Sequence, residues 1–236
     1  MVFKRKSKNN ENNERNPGLV VAGRPKSIVA EQFRTLRTNI QFSMVDEDLK
    51  SMIVTSAGPA SGKTTIAANL AATFATAEKR VLLVDADLRK PTIHQTFRLR
   101  NSDGLTTLLM QRRSELGDII YKTHTEGLYL ITSGPIPPNP ADLLSSKRMT
   151  ELIKEMEDMF DLVIFDMPPI LPVTDAQVMG SKVDGAVFVI PQGRVTKEEA
   201  LKAKELLELA DVKVIGAVMN QVEKSTGSYY YYAEEE

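Results

Sequence analysis

Residues 55–72 read TSAGPASGKTTIAANLAA, and a chain with this order of residues has to turn from a strand into a helix. The apolar run MIVTSA at 52–57 is short and continuous, as suits a strand covered on both faces. In the turn that follows, Gly58, Pro59, Ala60, Ser61 and Gly62 place backbone N–H groups and a helix N-terminus where they can converge on an anion, with Gly62 admitting close approach. The spacing fits the looser form of the Walker A phosphate loop, with Ala57 in place of the first glycine, then four residues, then Gly62, Lys63 and Thr64. Lys63 offers a point charge at the β/γ bridge of a nucleoside triphosphate, Thr64 a hydroxyl ligand for Mg²⁺, and Thr65 extends the set at the helix start. A glycine-containing strand-to-helix turn with no ligand is the plainer alternative.

Further apolar runs, RVLLVDAD (80–87), LYLITSG (128–134), DLVIFD (161–166), GAVFVI (185–190) and VKVIGAVMN (212–220), alternate with helical stretches. They predict an α/β fold, a mostly parallel sheet flanked by helices on both faces. Ser27 reads as the N-cap of a first helix over SIVAEQFRTLRTNIQFSM. NSDGLTTLLMQRRSELGDII (101–120) reads as a helical excursion, and SGPIPPNPADLLSS (133–146) as a proline-rich loop leading into a helix that contains Met149 to Met159. The expected organisation is a flexible basic and polar segment over 1–26, a single core over 27–222, and a flexible tail over 223–236.

Period-two geometry at the end of the second strand points Asp85 and Asp87 to one side, at a solvent-facing sheet edge. Two carboxylates there repel each other, so a divalent cation or an incoming proton donor is their natural partner, although Asp pairs at strand ends also cap helices. In FDLVIFDMPP, four apolar residues ending in Asp166 form a Walker B segment, whose carboxylate can hold Mg²⁺ directly or through water. Lys63, Thr64, Asp85, Asp87 and Asp166 are thus expected to meet at the carboxyl edge of the sheet, where open α/β folds bind ligands.

With 42% hydrophobic side chains, the 236 residues suffice for one substantial core. The formal net charge of −1 argues against a partner held by bulk electrostatics, and nucleic acid is not expected. The absence of cysteine excludes thiol catalysis, thiolate metal sites and disulfides, and with only His94 and His124 a histidine-based metal site is not expected. No run approaches the roughly 18 to 20 apolar residues that cross a bilayer, so a cytoplasmic location is expected. Lys4, Arg5, Lys6 and Lys8 could touch an anionic membrane or form a solvated tail. The C-terminal stretch TGSYYYYAEEE has neither strand nor helix periodicity, which makes Tyr229, Tyr230, Tyr231 and Tyr232 read as phenols displayed on a tether.

LLVDADLRKP, together with ASGKTT, DLVIFDMPP, SGPIPPNPADLL, EQFRTLR and the tyrosine cluster, resembles the bacterial tyrosine kinases over about residues 19–232. In that family LLVDADLRKP is the Walker A′ signature on a P-loop ATPase fold. The likeness is to the two-component form of Firmicutes, a kinase paired with a separate membrane adaptor in capsule and exopolysaccharide synthesis. It implies ATP and Mg²⁺ as cofactors, autophosphorylation of Tyr229 to Tyr232 in a neighbour's active site, and Asp85 as either proton acceptor or Mg²⁺ orienter. It implies a ring of copies, an octamer in the family, when the tail is unphosphorylated, with Glu31, Arg34 and Arg37 in the contact. It further implies a tyrosine phosphatase, other protein substrates, and recruitment to the inner face of the plasma membrane. By helical spacing alone, Glu31, Arg34 and Arg37 read as a solvated face with one local pair. Asn220 matches an adenine-contacting position in related ATPases, and reads equally as a turn residue. Partitioning-type ATPase switches are the competing class, but they carry a lysine at the position of Gly58 and lack a tyrosine tail.

Overall fold

The computed structural model describes residues 19–44, 48–111 and 115–223. The tail tyrosines Tyr229 to Tyr232 and the basic residues Lys4, Arg5, Lys6 and Lys8 lie outside the described residues. Strands Ser51–Ser56 (β1), Val81–Asp85 (β2), Tyr121–Lys122 (β3), Leu128–Ile131 (β4), Leu162–Asp166 (β5), Gly185–Pro191 (β6) and Val214–Asn220 (β7) form one sheet in the order β3-β4-β2-β5-β1-β6-β7. Neighbours are parallel except β3, which runs antiparallel to β4. The helices are Val20–Gly23 (α1), Ile28–Ser43 (α2), Lys63–Ala75 (α3), Ile93–Thr96 (α4), Leu105–Met110 (α5), Leu116–Ile119 (α6), Pro140–Ser145 (α7), Lys147–Met159 (α8), Asp175–Gly180 (α9) and Lys197–Leu209 (α10).

Because side chains alternate along a strand and both faces are covered, each central strand feeds two cores. Met52, Val54, Leu83 and Ile164 pack under Leu70 and Phe74 of α3, with Phe33 and Ile40 of α2 behind them. Ile53, Val84, Val163 and Phe165 face the other way, toward Leu152 and Met156 of α8, Met179 of α9 and Leu207 of α10. Every residue of α3 from Ile66 to Ala75 is buried. Its many alanines keep it thin enough to lie between the sheet and α2, so the helix that starts at the phosphate loop is held on both sides.

The helix starts follow the capping chemistry of the sequence. Ser27 Oγ accepts from the Ala30 N–H, and Ser146 Oγ accepts from the Met149 N–H at the start of α8. Three expectations need correction. Residues 19–26 are not all a loose extension: α1 buries Leu19 and Val21, and the Val21 N–H donates to Asn69 Oδ1 at 3.1 Å. Among the described residues the region 101–120 holds only the short α5 and α6, and the packing of Gly104 against the backbone of Thr132 and Gly134 fixes where α5 must begin. The edge strand β3 was not expected at all, since two residues carry no readable periodicity.

Asn69 is buried in α3 and joins α1 to the helix of the phosphate loop. Asn69→Ala strands the Val21 N–H, and is expected to lower stability by about 1–3 kcal/mol in urea unfolding. An unchanged midpoint would show that α1 contributes nothing to the core.

Candidate active site

The loop between β1 and α3 bends through two left-handed residues, Ala60 at φ 56° and Gly62 at φ 79°. Alternation of this kind turns successive N–H groups to the same concave side. Gly62 is also the N-cap of α3 and has no side chain to cap its first turn, which leaves the turn's N–H groups for an anion at the loop mouth. The Ser56 hydroxyl braces the loop by donating to Gly58 O at 2.8 Å. From the far side, Asn220 Nδ2 donates to Ser61 O at 2.8 Å and Gln221 Nε2 to Ala60 O at 3.1 Å.

Asp85 and Asp166 are register partners at the ends of adjacent parallel strands, and both are 0% exposed. Asp85 Oδ2 accepts from the N–H groups of Thr92 (3.2 Å) and Ile93 (3.0 Å) at the start of α4. Asp166 Oδ2 accepts from Thr64 Oγ1 at 2.6 Å. In each carboxylate the second oxygen, Oδ1, is buried with no protein partner. Asp87 Oδ2 pairs with Lys63 Nζ at 3.3 Å, while its Oδ1 accepts from the N–H of Lys90 at 2.9 Å and, at 3.3 Å, from that of Arg89. The five residues expected to meet do meet. The expected solvent-facing edge is wrong, however: β2 ends at Asp85, Asp87 lies beyond it and is 4% exposed, and the segment 87–96 folds over both carboxylates.

Burial next to a like charge shapes the electrostatics. Burial holds Asp85 well above the ordinary carboxylate range, with the Asp166 charge adding to it and the Ile93 N–H opposing it. Burial likewise pushes Asp166 up to about 6, opposed by Lys63 and by the Thr64 hydrogen bond. Among the described residues, no three acidic or imidazole side chains already form a metal cage. That suits Mg²⁺, which takes one or two carboxylates and completes its shell with phosphate and water. The unpartnered Oδ1 atoms of Asp85 and Asp166, beside the Thr64 hydroxyl, fit such an ion.

Sequence reasoning missed several contributors. Arg89 clamps Asp175 through Nε and a terminal NH2, both at 2.9 Å, and Asp175 is fully buried at the start of α9. Thr92 Oγ1 donates to Thr64 Oγ1 at 3.2 Å. Arg89 stands inside LLVDADLRKP, but nothing in the sequence links it to Asp175 in another element. Glu31, Arg34 and Arg37 are all at least partly exposed on α2. Glu31 and Arg34 pair locally, and Arg37 donates from a terminal NH2 to Thr73 O on α3 at 3.1 Å. A groove of about 440 Å³ lined by Met44, Leu49, Phe74 and Leu162 lies at the opposite, amino edge of the sheet and contains none of this chemistry.

The raised pKa of Asp166 fixes a sign. The folded chain keeps this proton up to about pH 6, whereas the unfolded chain releases it near 3.8, so this group's contribution to stability falls as pH rises through that window. At about 1.4 kcal/mol per pH unit, the loss is on the order of 3 kcal/mol above pH 6. Asp166→Asn, which mimics the protonated acid, should make the nucleotide-free protein more stable than wild type at pH 7.5, with the difference shrinking below pH 5. Urea unfolding at the two pH values checks it, and a difference independent of pH would refute the assignment.

Known proteins resemble this chain over most of its length. Residues 49–192 match the model of the AAA domain family. The chain is 50% identical over 214 residues to the tyrosine-protein kinase YwqD of Bacillus subtilis, covering 91% of this chain and 90% of that one. Among solved structures, the chimerical protein CapA2B2 superposes with a TM-score of 0.84 at 42% identity, covering 88% of this chain and 91% of that one. The kinase domain of the Escherichia coli tyrosine kinase ETK gives the same TM-score at 36% identity, covering 91% and 84%. With half of its residues identical to YwqD over nine-tenths of both chains, the chain belongs to the bacterial tyrosine-protein kinases built on the P-loop ATPase fold.

Proposed function

We propose that this kinase transfers the γ-phosphoryl group of ATP to Tyr229, Tyr230, Tyr231 and Tyr232 in the tail of a neighbouring copy, and to tyrosines of other proteins. The observation that carries this reading is the meeting of Lys63, Thr64, Asp85, Asp87 and Asp166 at one sheet edge, with two buried carboxylate oxygens facing no protein donor. The loop N–H groups bind the phosphates, and Lys63, held at the mouth by Asp87, supplies a positive charge that stabilises the negative charge developing in the transition state. Thr64 Oγ1, Asp85, Asp87 and Asp166 are the residues that would hold Mg²⁺, which when bound neutralises charge on the β- and γ-phosphate oxygens. A phenol of pKa about 10 needs help to lose its proton near neutrality. Asp85 Oδ1 is unpartnered in the nucleotide-free chain and serves either as that acceptor or as a metal ligand.

The other phenols support the tail as acceptor. Tyr121 and Tyr129 lie on paired strands β3 and β4, where the ladder holds them in place. A tethered tyrosine, by contrast, can align with the γ-phosphate. Delivery to a neighbour implies a head-to-tail contact, which closes into a ring when its rotation permits. Glu31, Arg34 and Arg37, all at least partly exposed on α2, supply such a contact, with Arg37 also donating to Thr73 O of α3. Each phosphotyrosine adds about −1.5 to −2 charge, which beside Glu234, Glu235 and Glu236 opposes docking near an acidic site. The reading extends to control of capsular or exopolysaccharide synthesis with a membrane adaptor that recruits the kinase to the inner face of the plasma membrane, and a tyrosine phosphatase that resets it. The solved relative CapA2B2, itself a chimera, fits a kinase that works with a second polypeptide.

Incubation with γ-labelled ATP and Mg²⁺ tests the acceptor assignment. Replacing Tyr229 through Tyr232 with Phe should remove most label from the protein while leaving ATP binding intact, and label persisting at wild-type level would move the acceptor elsewhere. Lys63→Met should reduce transfer by about 10²–10³-fold. Light scattering should give a larger assembly for the unphosphorylated form than for the phosphorylated form, and equal masses would end the switching model.

A further inference from the structure

Two side-chain amides at the end of β7 hold the phosphate loop from behind. Gln221 Nε2 donates to Ala60 O at 3.1 Å and Asn220 Nδ2 to Ser61 O at 2.8 Å. A carbonyl only accepts, so each amide must present its NH2 end. Across a trans peptide, the C=O of one residue and the N–H of the next point in opposite directions. Holding Ala60 O toward β7 therefore turns the Ser61 N–H away from it, toward the concave side of the loop. Holding Ser61 O does the same for the Gly62 N–H. The loop's anion-binding peptides are thus aimed by side chains that stand outside the Walker A stretch.

Other features show that the contact is built rather than incidental. Gln221 takes φ 57°, in the left-handed region that a non-glycine residue adopts only at a cost. A Cβ at Gly62 would stand 2.3 Å from Asn220 Nδ2, so the glycine makes room for the strap as well as for its own φ of 79°. The strap's backbone is itself pinned, with the Gln192 N–H donating to Asn220 O at 2.9 Å and the Glu223 N–H to Gln192 Oε1 at 3.0 Å.

We propose that Gln221, together with Asn220, is a positioning residue of the phosphate loop: it aims the Ser61 and Gly62 N–H groups, and so sets affinity for the nucleotide's phosphates rather than for its base. The inference rests on the nucleotide-binding reading above. Binding by the full chain in Mg²⁺, with ADP, GDP and inorganic tripolyphosphate as probes, tests it without reference to phosphoryl transfer. Gln221→Gly removes the whole side chain, amide included, while the left-handed backbone conformation suits glycine. It should raise Kd for ADP and for tripolyphosphate by the same factor, about five- to tenfold, with the ADP-to-GDP ratio unchanged. Gln221→Glu sets a carboxylate against Ala60 O and should weaken both further.

A role confined to the turn's backbone leaves Gln221→Gly at wild-type affinity, and that result overturns the proposal. Weakened ADP binding with normal tripolyphosphate binding, or a shifted ADP-to-GDP ratio, also overturns it by moving Gln221 to the base or ribose. Failure of the wild type to bind either ADP or tripolyphosphate would sink the nucleotide-binding reading and the strap with it, whereas equal binding by wild type and both variants sinks the strap alone.

Discussion

Asp85 and Asp166 end adjacent parallel strands in register, and both are removed from water. Two like charges in that position cost free energy, and much of the surrounding structure can be understood as what makes the cost tolerable. The N–H groups of Thr92 and Ile93 reach one carboxylate, and the Thr64 hydroxyl reaches the other. Lys63 brings the nearest positive charge, although its ion pair is with Asp87. None of these satisfies the two Oδ1 atoms. The nucleotide-free protein therefore carries a destabilised pair with an unpartnered oxygen on each member among the described residues, a common arrangement where function is bought with stability.

The segment after β2 does the covering. Asp87 folds the chain back by accepting from the N–H groups of Arg89 and Lys90, and Arg89 then fastens the turn to the buried Asp175 of α9. An exposed pair of this kind would contribute little. Here Asp175 is fully buried, so loss of Arg89 would leave an uncompensated charge in the interior. The clamp ties the Walker A′ turn to the face of the sheet opposite α3. The carboxylates are thereby approached from both layers of the fold.

Much of this was legible in the sequence because it is local. A strand, a small-residue turn and a helix in immediate succession specify where Lys63 and Thr64 go, and four apolar residues ending in Asp166 specify the next strand end. Ser27 capped its helix as capping chemistry requires. The features that could not be read are those in which the partner is remote. The Val21 N–H finds Asn69, Arg89 finds Asp175, and Gln221 finds Ala60, each across a separation that no periodicity encodes. Burial of Asp85 and Asp87 escaped for a different reason: the segment that covers them follows directly in the sequence, but its turn carries no periodicity that shows it folding back.

Arg37 illustrates how a motif residue can also serve the packing of its own chain. Three residues after Arg34 and like it half-buried, it lies about 60° away on the same helix face. Its guanidinium donates to Thr73 O near the carboxyl end of α3, where a positive charge also suits the helix dipole. Thr73 O receives the Thr76 hydroxyl as well, at 3.0 Å, so it would keep a partner if Arg37 left. Arg37 Nε, by contrast, is buried without a partner among the described residues. The Arg37 hydrogen bond joins α2 to the helix that begins at the phosphate loop, so the two elements that start at Ile28 and Lys63 are held together by a side chain as well as by their apolar faces.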